Sequence, residues 1–314
     1  MSGGRYAYTV CDLTFLAGIP FPELRPGTGE SPEFRFRLVR RLPNVGEGVE
    51  TGRTLLPDGR LWMKRVRAGG RHLLDFDGLA TFLLDTANRE ILACRKDGTP
   101  LAIVRHLFLN QVLPLYLGLL GKLIMHASAV AARGRAVAFM GDTCRGKSTL
   151  ARSLMERGCE LITDDMLLLD RTGGGLAAVP SYPGLRLWPD SLEALGPGGL
   201  FPIKGGNMLK QRLGVGASNT PTEPVPIDRV YLLSEPADHI SIRPVPARQA
   251  LTALLRCNFH LEIDREECLA RQFRDLSQLA VLPIYYSLRY PHDFRMLPRV
   301  CEAVLEHASE SIPA

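Results

Sequence analysis

Gly141-Asp142-Thr143-Cys144-Arg145-Gly146-Lys147-Ser148 fills every fixed position of the pattern G-x-x-x-x-G-K-[ST], and its flanks are those the pattern requires. Ahead of it, Ala136 to Met140 is an apolar strand-like run. Behind it, Lys147 to about Arg157 reads as a helix closed by Gly158. The glycines let backbone N–H groups turn towards phosphate oxygens, and the helix N-terminus adds about half a positive charge. Lys147 would neutralise a transferred phosphate and Ser148 can ligate Mg²⁺. The stretch from Gly141 through Asp142, Thr143, Cys144, Arg145, Gly146, Lys147 and Ser148 to Thr149 is thus the expected cradle for a nucleoside triphosphate. Arg145 reads as a phosphate or partner contact, or as a solvent-facing loop residue.

Asp164 and Asp165 follow, with a strand from Cys159 to Thr163 between them and the helix. A helix of about eleven residues rises roughly 16 Å, and a strand of about five returns nearly the same distance, so the acidic pair ends beside the loop. A carboxylate there can hold Mg²⁺, directly or through water, or accept a proton from an attacking hydroxyl. Neighbours on a strand point to opposite sides, so the two are expected to take different roles.

Upstream, Leu123 to Val130 and Ala136 to Met140 are strand-like runs around a turn-rich gap, Ala131 to Arg135, which predicts a hairpin. Pairing residue 131 with 135 sets His126 opposite Met140, at the mouth of the loop; a slip of one residue would turn its side chain to the other face. His126 is a candidate phosphate contact or orienter of the acidic pair, with a structural core histidine as the alternative.

The rest of the chain carries less chemistry. Tyr6 to about Phe108 alternates short apolar runs with Pro and Gly turns and reads as mostly β. Arg35 and Arg37 alternate with Phe34, Phe36 and Leu38, the pattern of a strand with one solvated face. Residues 109 to 120 predict a helix broken near Pro114, and residues 193 to 226 a mobile surface loop whose Lys204, Lys210 and Arg212 are candidates for holding an acidic peptide. Strands at Val230 to Leu233 and Ile240 to Arg243, then helices near 264 to 278 and 294 to 308, are expected to complete the fold. Arg186 lies in a strand reaching the edge of the acidic pair, as a phosphate contact or a surface ion pair. His260, near Cys257, lacks the further ligands that a zinc site needs.

With 38 Lys and Arg against 33 Asp and Glu, the net charge of +5 is small and scattered, which suits an acidic ligand and gives no reason to expect a nucleic-acid partner. Seven cysteines without a C-x-x-C pair read as reduced thiols, and no secretory signal is evident at the N-terminus, so a cytoplasmic location is expected. Leu107 to Met125 resembles a membrane span, but Asn110, Gln111, Pro114 and Lys122 interrupt it, and a membrane association is not expected.

A hairpin feeding directly into the loop, His126 fifteen residues before Gly141, and an acidic pair beginning seventeen after Lys147 together resemble the catalytic domain of HPr kinase/phosphorylase. That family shares its core with phosphoenolpyruvate carboxykinase and phosphorylates a protein serine. Over a longer stretch, Pro22-Glu23-Leu24, Met125-His126-Ala127-Ser128-Ala129, Tyr182-Pro183-Gly184-Leu185-Arg186-Leu187-Trp188 and Tyr290-Pro291 resemble the HPr-kinase-related serine kinases of peptide tailoring, including those acting on lasso-peptide precursors. The resemblance implies an α/β fold: a phosphoenolpyruvate-carboxykinase/HPr-kinase-like P-loop domain over residues 113–314, with a smaller β-rich N-terminal domain over residues 1–112. It implies ATP, or another nucleoside triphosphate, and Mg²⁺, with a Ser or Thr hydroxyl of a peptide or protein as acceptor. On it Lys147 binds phosphate, Ser148 and Asp164 serve the metal, His126 is an active-site residue and Asp165 is the proton acceptor, assisted by Asp164. HPr kinases form hexamers, so a homo-oligomer is compatible with it.

The sequence departs from that family at Pro180-Ser181-Tyr182-Pro183, where HPr kinases carry a metal-binding Glu, so neither a second metal ligand nor the reverse reaction is implied. The same loop would also serve a nucleotide hydrolase acting as a switch, a small-molecule kinase or a non-enzymatic nucleotide-binding module.

Overall fold

The computed structural model describes residues 6–56, 58–171, 175–196, 201–202, 211–216, 219–261 and 265–309. Lys204 and Lys210 lie outside the described residues, as does the side chain of Arg212. The described residues fall into two compact units. The first holds those up to Lys122 and those of His260–Leu269; the second holds those of Leu123–Ile203, Met208–Phe259 and Ala270–Ala314.

Among the described residues of the first unit, nine strands form one sheet, ordered Arg25–Pro26, Tyr6–Val10, Leu13–Ala17, Phe34–Leu38, Glu90–Arg95, Ala80–Asp85, Arg71–Phe76, Leu61–Ala68 and Val49–Leu55. Phe34 and Phe36 are buried while Arg35 and Arg37 face out, as the alternation of the sequence predicts. Phe15 and Phe34 stack at 4.8 Å, and Phe108 and Tyr116 of a long helix pack onto Phe36 and Phe34 at 4.5 and 5.2 Å.

That helix runs from Leu101 to Leu119 and is continuous through Pro114, where the sequence predicts a break. Pro114 has no N–H to donate. A π-turn over Phe108–Val112 absorbs the defect: Leu113 N–H reaches back five residues to the Phe108 carbonyl, and Asn110 Nδ2 donates to the His106 carbonyl at 2.9 Å. The helix therefore stays in one piece, and the units divide at Lys122 and Leu123 rather than at residues 112 and 113. It is the one described helix long and apolar enough to cross a membrane, and most of it is buried, as in the core helix of a folded unit.

The second unit is built on a hairpin, Ala127–Ala132 and Arg135–Met140, closed by the two-residue turn Arg133-Gly134 with both residues at positive φ. Arg135–Met140 pairs in parallel with Val225–Leu233, which pairs in parallel with Tyr285–Arg289; Glu160–Thr163 runs antiparallel beside Ala127–Ala132. These strands are buried on both faces, which is why they read as unbroken apolar runs. On one face Ala127, Ala129 and Ala138 meet Leu254 and Leu276, from helices Ala247–Cys257 and Glu266–Ala280. On the other, Val130, Val137 and Phe139 meet Leu150, Leu154 and Val300, from helices Lys147–Met155 and Leu297–Ser309.

Where the sequence predicts a mobile loop over residues 193 to 226, the described residues include the strand Gln211–Gly214, paired antiparallel with Gly184–Leu187. Its ladder partner lies more than twenty residues upstream, so the pairing leaves no local signature. Before it, Pro189–Leu195 is a short helix that starts after Trp188.

Candidate functional site

The strand Arg135–Met140 delivers the loop, and the helix Lys147–Met155 leaves it. Gly146 holds the turn between them at φ 89, and a Cβ there would lie 2.5 Å from the Tyr290 hydroxyl. Both backbone freedom and space thus require glycine. Cys144 also sits at positive φ, and its side chain is exposed. Lys147 is buried and folds over the loop, its Nζ donating to the carbonyls of Gly141 at 2.7 Å and Asp142 at 3.0 Å. Arg145 faces a partner rather than solvent alone: it forms a two-pronged ion pair with Glu235, and the Tyr290 hydroxyl donates to its carbonyl at 3.4 Å. Asp142 meets Arg256 at 3.4 Å.

Asp164 is buried beneath the loop, and three donors converge on its carboxylate. Ser148 Oγ donates to Oδ1 at 2.8 Å, Ser128 Oγ to the same oxygen at 2.5 Å, and the Arg186 N–H to Oδ2 at 2.9 Å. Asp165 is equally buried and turned differently: its Oδ2 accepts from Arg186 Nη1 at 2.7 Å. The two carboxylates diverge as the sequence predicts, but not by strand alternation. The strand ends at Thr163, and Asp165 takes a left-handed conformation, φ 70, in a turn fastened by the Thr163 hydroxyl on the Met166 carbonyl at 2.6 Å.

His126 is one residue out of the predicted register. The turn has two residues, not three, so Met140 pairs with Ala127, and His126 lies in a bend just before that strand. Its backbone N–H donates to the Cys257 carbonyl at 2.6 Å, and the Phe259 ring meets it edge-on at 6.0 Å. Its Nδ1 lies 3.2 Å from the Asp165 carbonyl and 3.9 Å from Asp165 Oδ1. His126, Asp165 and Arg186 form one cluster, and Ser148, Asp164 and Ser128 another, joined through the Arg186 backbone and the adjacent acids.

The electrostatics of the first cluster show in Arg186. Burial works against its charge, but the Asp165 carboxylate, followed by Tyr182 and Asp164, outweighs this and holds its pKa above the ordinary arginine value. Arg186 is therefore the fixed countercharge of Asp165, as well as a lining residue of the pocket beside the loop. Burial pushes the nearby Cys257 thiol up, against the opposing pull of the Gly141 backbone and Lys147.

Ser128 escapes a reading of the sequence for chemistry because it looks like a small residue in an alanine-rich strand; its one signal is that it is the only hydroxyl between Ala127 and Ala132. The Pro180–Pro183 segment brings no acid to the site. Ser181 is buried, with its N–H bonded to the Ile162 carbonyl at 3.2 Å.

A strand, a glycine-framed loop carrying Lys147 and Ser148, and a buried carboxylate bonded to Ser148 form an arrangement that can cradle phosphate groups and offer oxygen ligands to a hard cation. No family model and no curated protein matches the chain. Among solved structures it is similar to the HPr(Ser) kinase/phosphatase from Coxiella burnetii, with 14% identity over 59% of this chain and 88% of that one, at a TM-score of 0.31. With likeness at that level, the functional reading rests on this chain's own residues.

Proposed function

We propose that the chain is an ATP- and Mg²⁺-dependent kinase that transfers the γ-phosphate to a Ser or Thr hydroxyl of a peptide or protein. The observation that carries the reading is the Ser148–Asp164 hydrogen bond, 2.8 Å, with the separately oriented Asp165 as the next residue. A nucleotide-binding module needs the loop and one acid; a second buried carboxylate, held by its own arginine, adds a group that can take a proton from an attacking hydroxyl.

The donor set fits Mg²⁺. Ser148 Oγ and Asp164 Oδ1 are hard oxygen donors, and this ion characteristically keeps phosphate and water oxygens as its remaining ligands. Bound there, it would offset charge on the β- and γ-phosphate oxygens. The loop N–H groups and the Lys147 ammonium hold the phosphates in line for attack. The acceptor oxygen forms a bond to the γ-phosphorus as the bond to the β-bridging oxygen breaks, ADP departs, and the hydroxyl proton passes to the Asp165 carboxylate. Arg186 orients that carboxylate, and His126 stands beside its other oxygen.

A groove of about 520 Å³ opens at Gly141 and Asp142, with Arg248 and Arg256 on its rim, and it offers an acceptor of acidic character an approach to the loop. The resemblance to peptide-tailoring kinases favours a ribosomal precursor peptide of lasso type as that acceptor. The test is incubation with MgATP and a library of Ser- and Thr-containing peptides, read by mass spectrometry beside Lys147→Ala. Phosphate gain in the wild type and its loss in the variant are expected; equal phosphorylation by both would sink the assignment, and ATP hydrolysis without peptide phosphorylation would favour a nucleotide-hydrolysing switch.

A further inference from the structure

A cavity of about 370 Å³ is lined by the loop from Cys144 to Thr149 together with aromatic side chains of two other segments. Its basic lining residues are Arg145, Lys147 and Arg186; its aromatic ones are Trp188, Phe294, His292 and Tyr290, the last resting on the loop itself, and Asp190 and Asp293 are its acids. The basic side chains suit phosphates, and the aromatic ones suit a flat, uncharged ring system.

Each aromatic wall is tied to the phosphate cradle. Trp188 stands two residues beyond Arg186, whose backbone N–H is fixed on Asp164, and it caps the strand Gly184–Leu187. The helix after it is linked to the loop helix by Ser191 Oγ and Thr149 Oγ1 at 3.2 Å. On the other wall, the Tyr290 hydroxyl rests on the loop at the Arg145 carbonyl, and His292 lies 5.2 Å from the Tyr290 ring. Burial, then the nearby Arg145 charge, lowers the His292 pKa against the opposing pull of Glu235, which favours its neutral ring. The Asp293 carboxylate accepts from the Arg295 N–H at 2.9 Å and so sets the short turn that presents Phe294, a large apolar side chain left 38% exposed. A phenylalanine that lines the cavity, is held by a built turn and stays partly exposed is poised for a partner surface.

We propose that the aromatic lining of this cavity is the nucleobase site, with Trp188 and Phe294 as the residues on which the base stacks, so that the phosphoryl donor is a nucleotide rather than a bare polyphosphate. The proposal rests on the reading of Gly141–Ser148 as the triphosphate cradle. The direction follows from that loop: the triphosphate runs along its N–H groups towards the helix N-terminus, where Thr149 lines the same cavity as Trp188 and Phe294.

The sequence contains two tryptophans, Trp62 and Trp188, so a Trp62→Phe protein reports Trp188 alone. With Mg²⁺ present, ATP should quench its fluorescence, while tripolyphosphate should bind without quenching it. By calorimetry, Trp188→Ala and Phe294→Ala should each weaken ATP binding by about tenfold or more, the loss of one stacked face. Binding of tripolyphosphate should stay within about twofold, since it uses only the cradle. Unchanged ATP affinity in both variants would overturn the proposal, as would an equal loss for tripolyphosphate, which would mark the two residues as structural. If the wild type binds neither ligand, the cradle reading itself fails; if it binds both equally tightly and Trp188 stays silent, the cradle stands and the base site falls.

Discussion

Gly146→Ala is the substitution whose cost can be divided in advance. At φ 89 an alanine is in the left-handed region, which costs about 1–2 kcal/mol. The new Cβ would also lie 2.5 Å from the Tyr290 hydroxyl, while the next atom of that ring is 3.9 Å away. Tyr290 is buried and cannot swing clear, so the clash adds about 1–3 kcal/mol of overpacking. Tyr290→Phe alone loses one long hydrogen bond, 3.4 Å, and about 0.5–1 kcal/mol. In the double variant the clashing oxygen is gone and only the backbone strain should remain, giving a favourable coupling of about 1–3 kcal/mol. Urea unfolding followed by Trp188 fluorescence in a Trp62→Phe background reads the second unit by itself. If Gly146→Ala costs as much in the Tyr290→Phe background as it does with Tyr290 in place, the packing of Tyr290 against the loop has been misread.

Three further outcomes follow from the same contacts. Arg186→Met removes the countercharge of a buried carboxylate and should cost about 3 kcal/mol of stability in urea, partly restored by adding Asp165→Asn; no recovery in the pair would mean the ion pair is not the source. Ser128→Ala takes one of the two hydroxyls from Asp164 and should raise the Mg²⁺ concentration for half-maximal turnover about tenfold with little change in the KM for ATP, whereas an unchanged Mg²⁺ dependence would place Ser128 outside the site's function. Cys144 is exposed on the loop, while Cys159, pushed up to about 11 by burial, and Cys257 and Cys301, also raised by burial, are protected. Iodoacetamide should therefore modify Cys144 ahead of those three, with MgATP slowing it, as peptide mass mapping would check; labelling indifferent to nucleotide would contradict the placement of phosphate on the loop.

What the sequence made legible was local. The loop is recognisable because fixed spacing and backbone geometry require glycine and lysine at set positions, and helix and strand lengths after it carry Asp164 and Asp165 back to its side. The hairpin was visible, but its register was not, because a turn of two residues and a turn of three fit the same Ala131–Arg135 segment and shift His126 by one place. Contacts made by distant segments left no trace: Ser128 beneath Asp164, Glu235 against Arg145, and Gln211–Gly214 against Gly184–Leu187. The helix Ala247–Cys257 escaped for another reason. It starts after Pro246 with no side-chain cap and no acid in its first turn, although Ala250, Leu254 and Cys257 keep helical spacing on its buried face.

The most direct test of the central claim is the behaviour of Asp165→Asn, a change that keeps the shape of the side chain and removes its capacity to take a proton. ATP affinity, measured by calorimetry, should stay within about twofold, while single-turnover phosphoryl transfer to a responsive peptide should slow by about a hundredfold or more, the usual contribution of a positioned base. Transfer at the wild-type rate, or a loss of rate explained entirely by lost ATP binding, would contradict the assignment of Asp165 as the group that accepts the acceptor's proton.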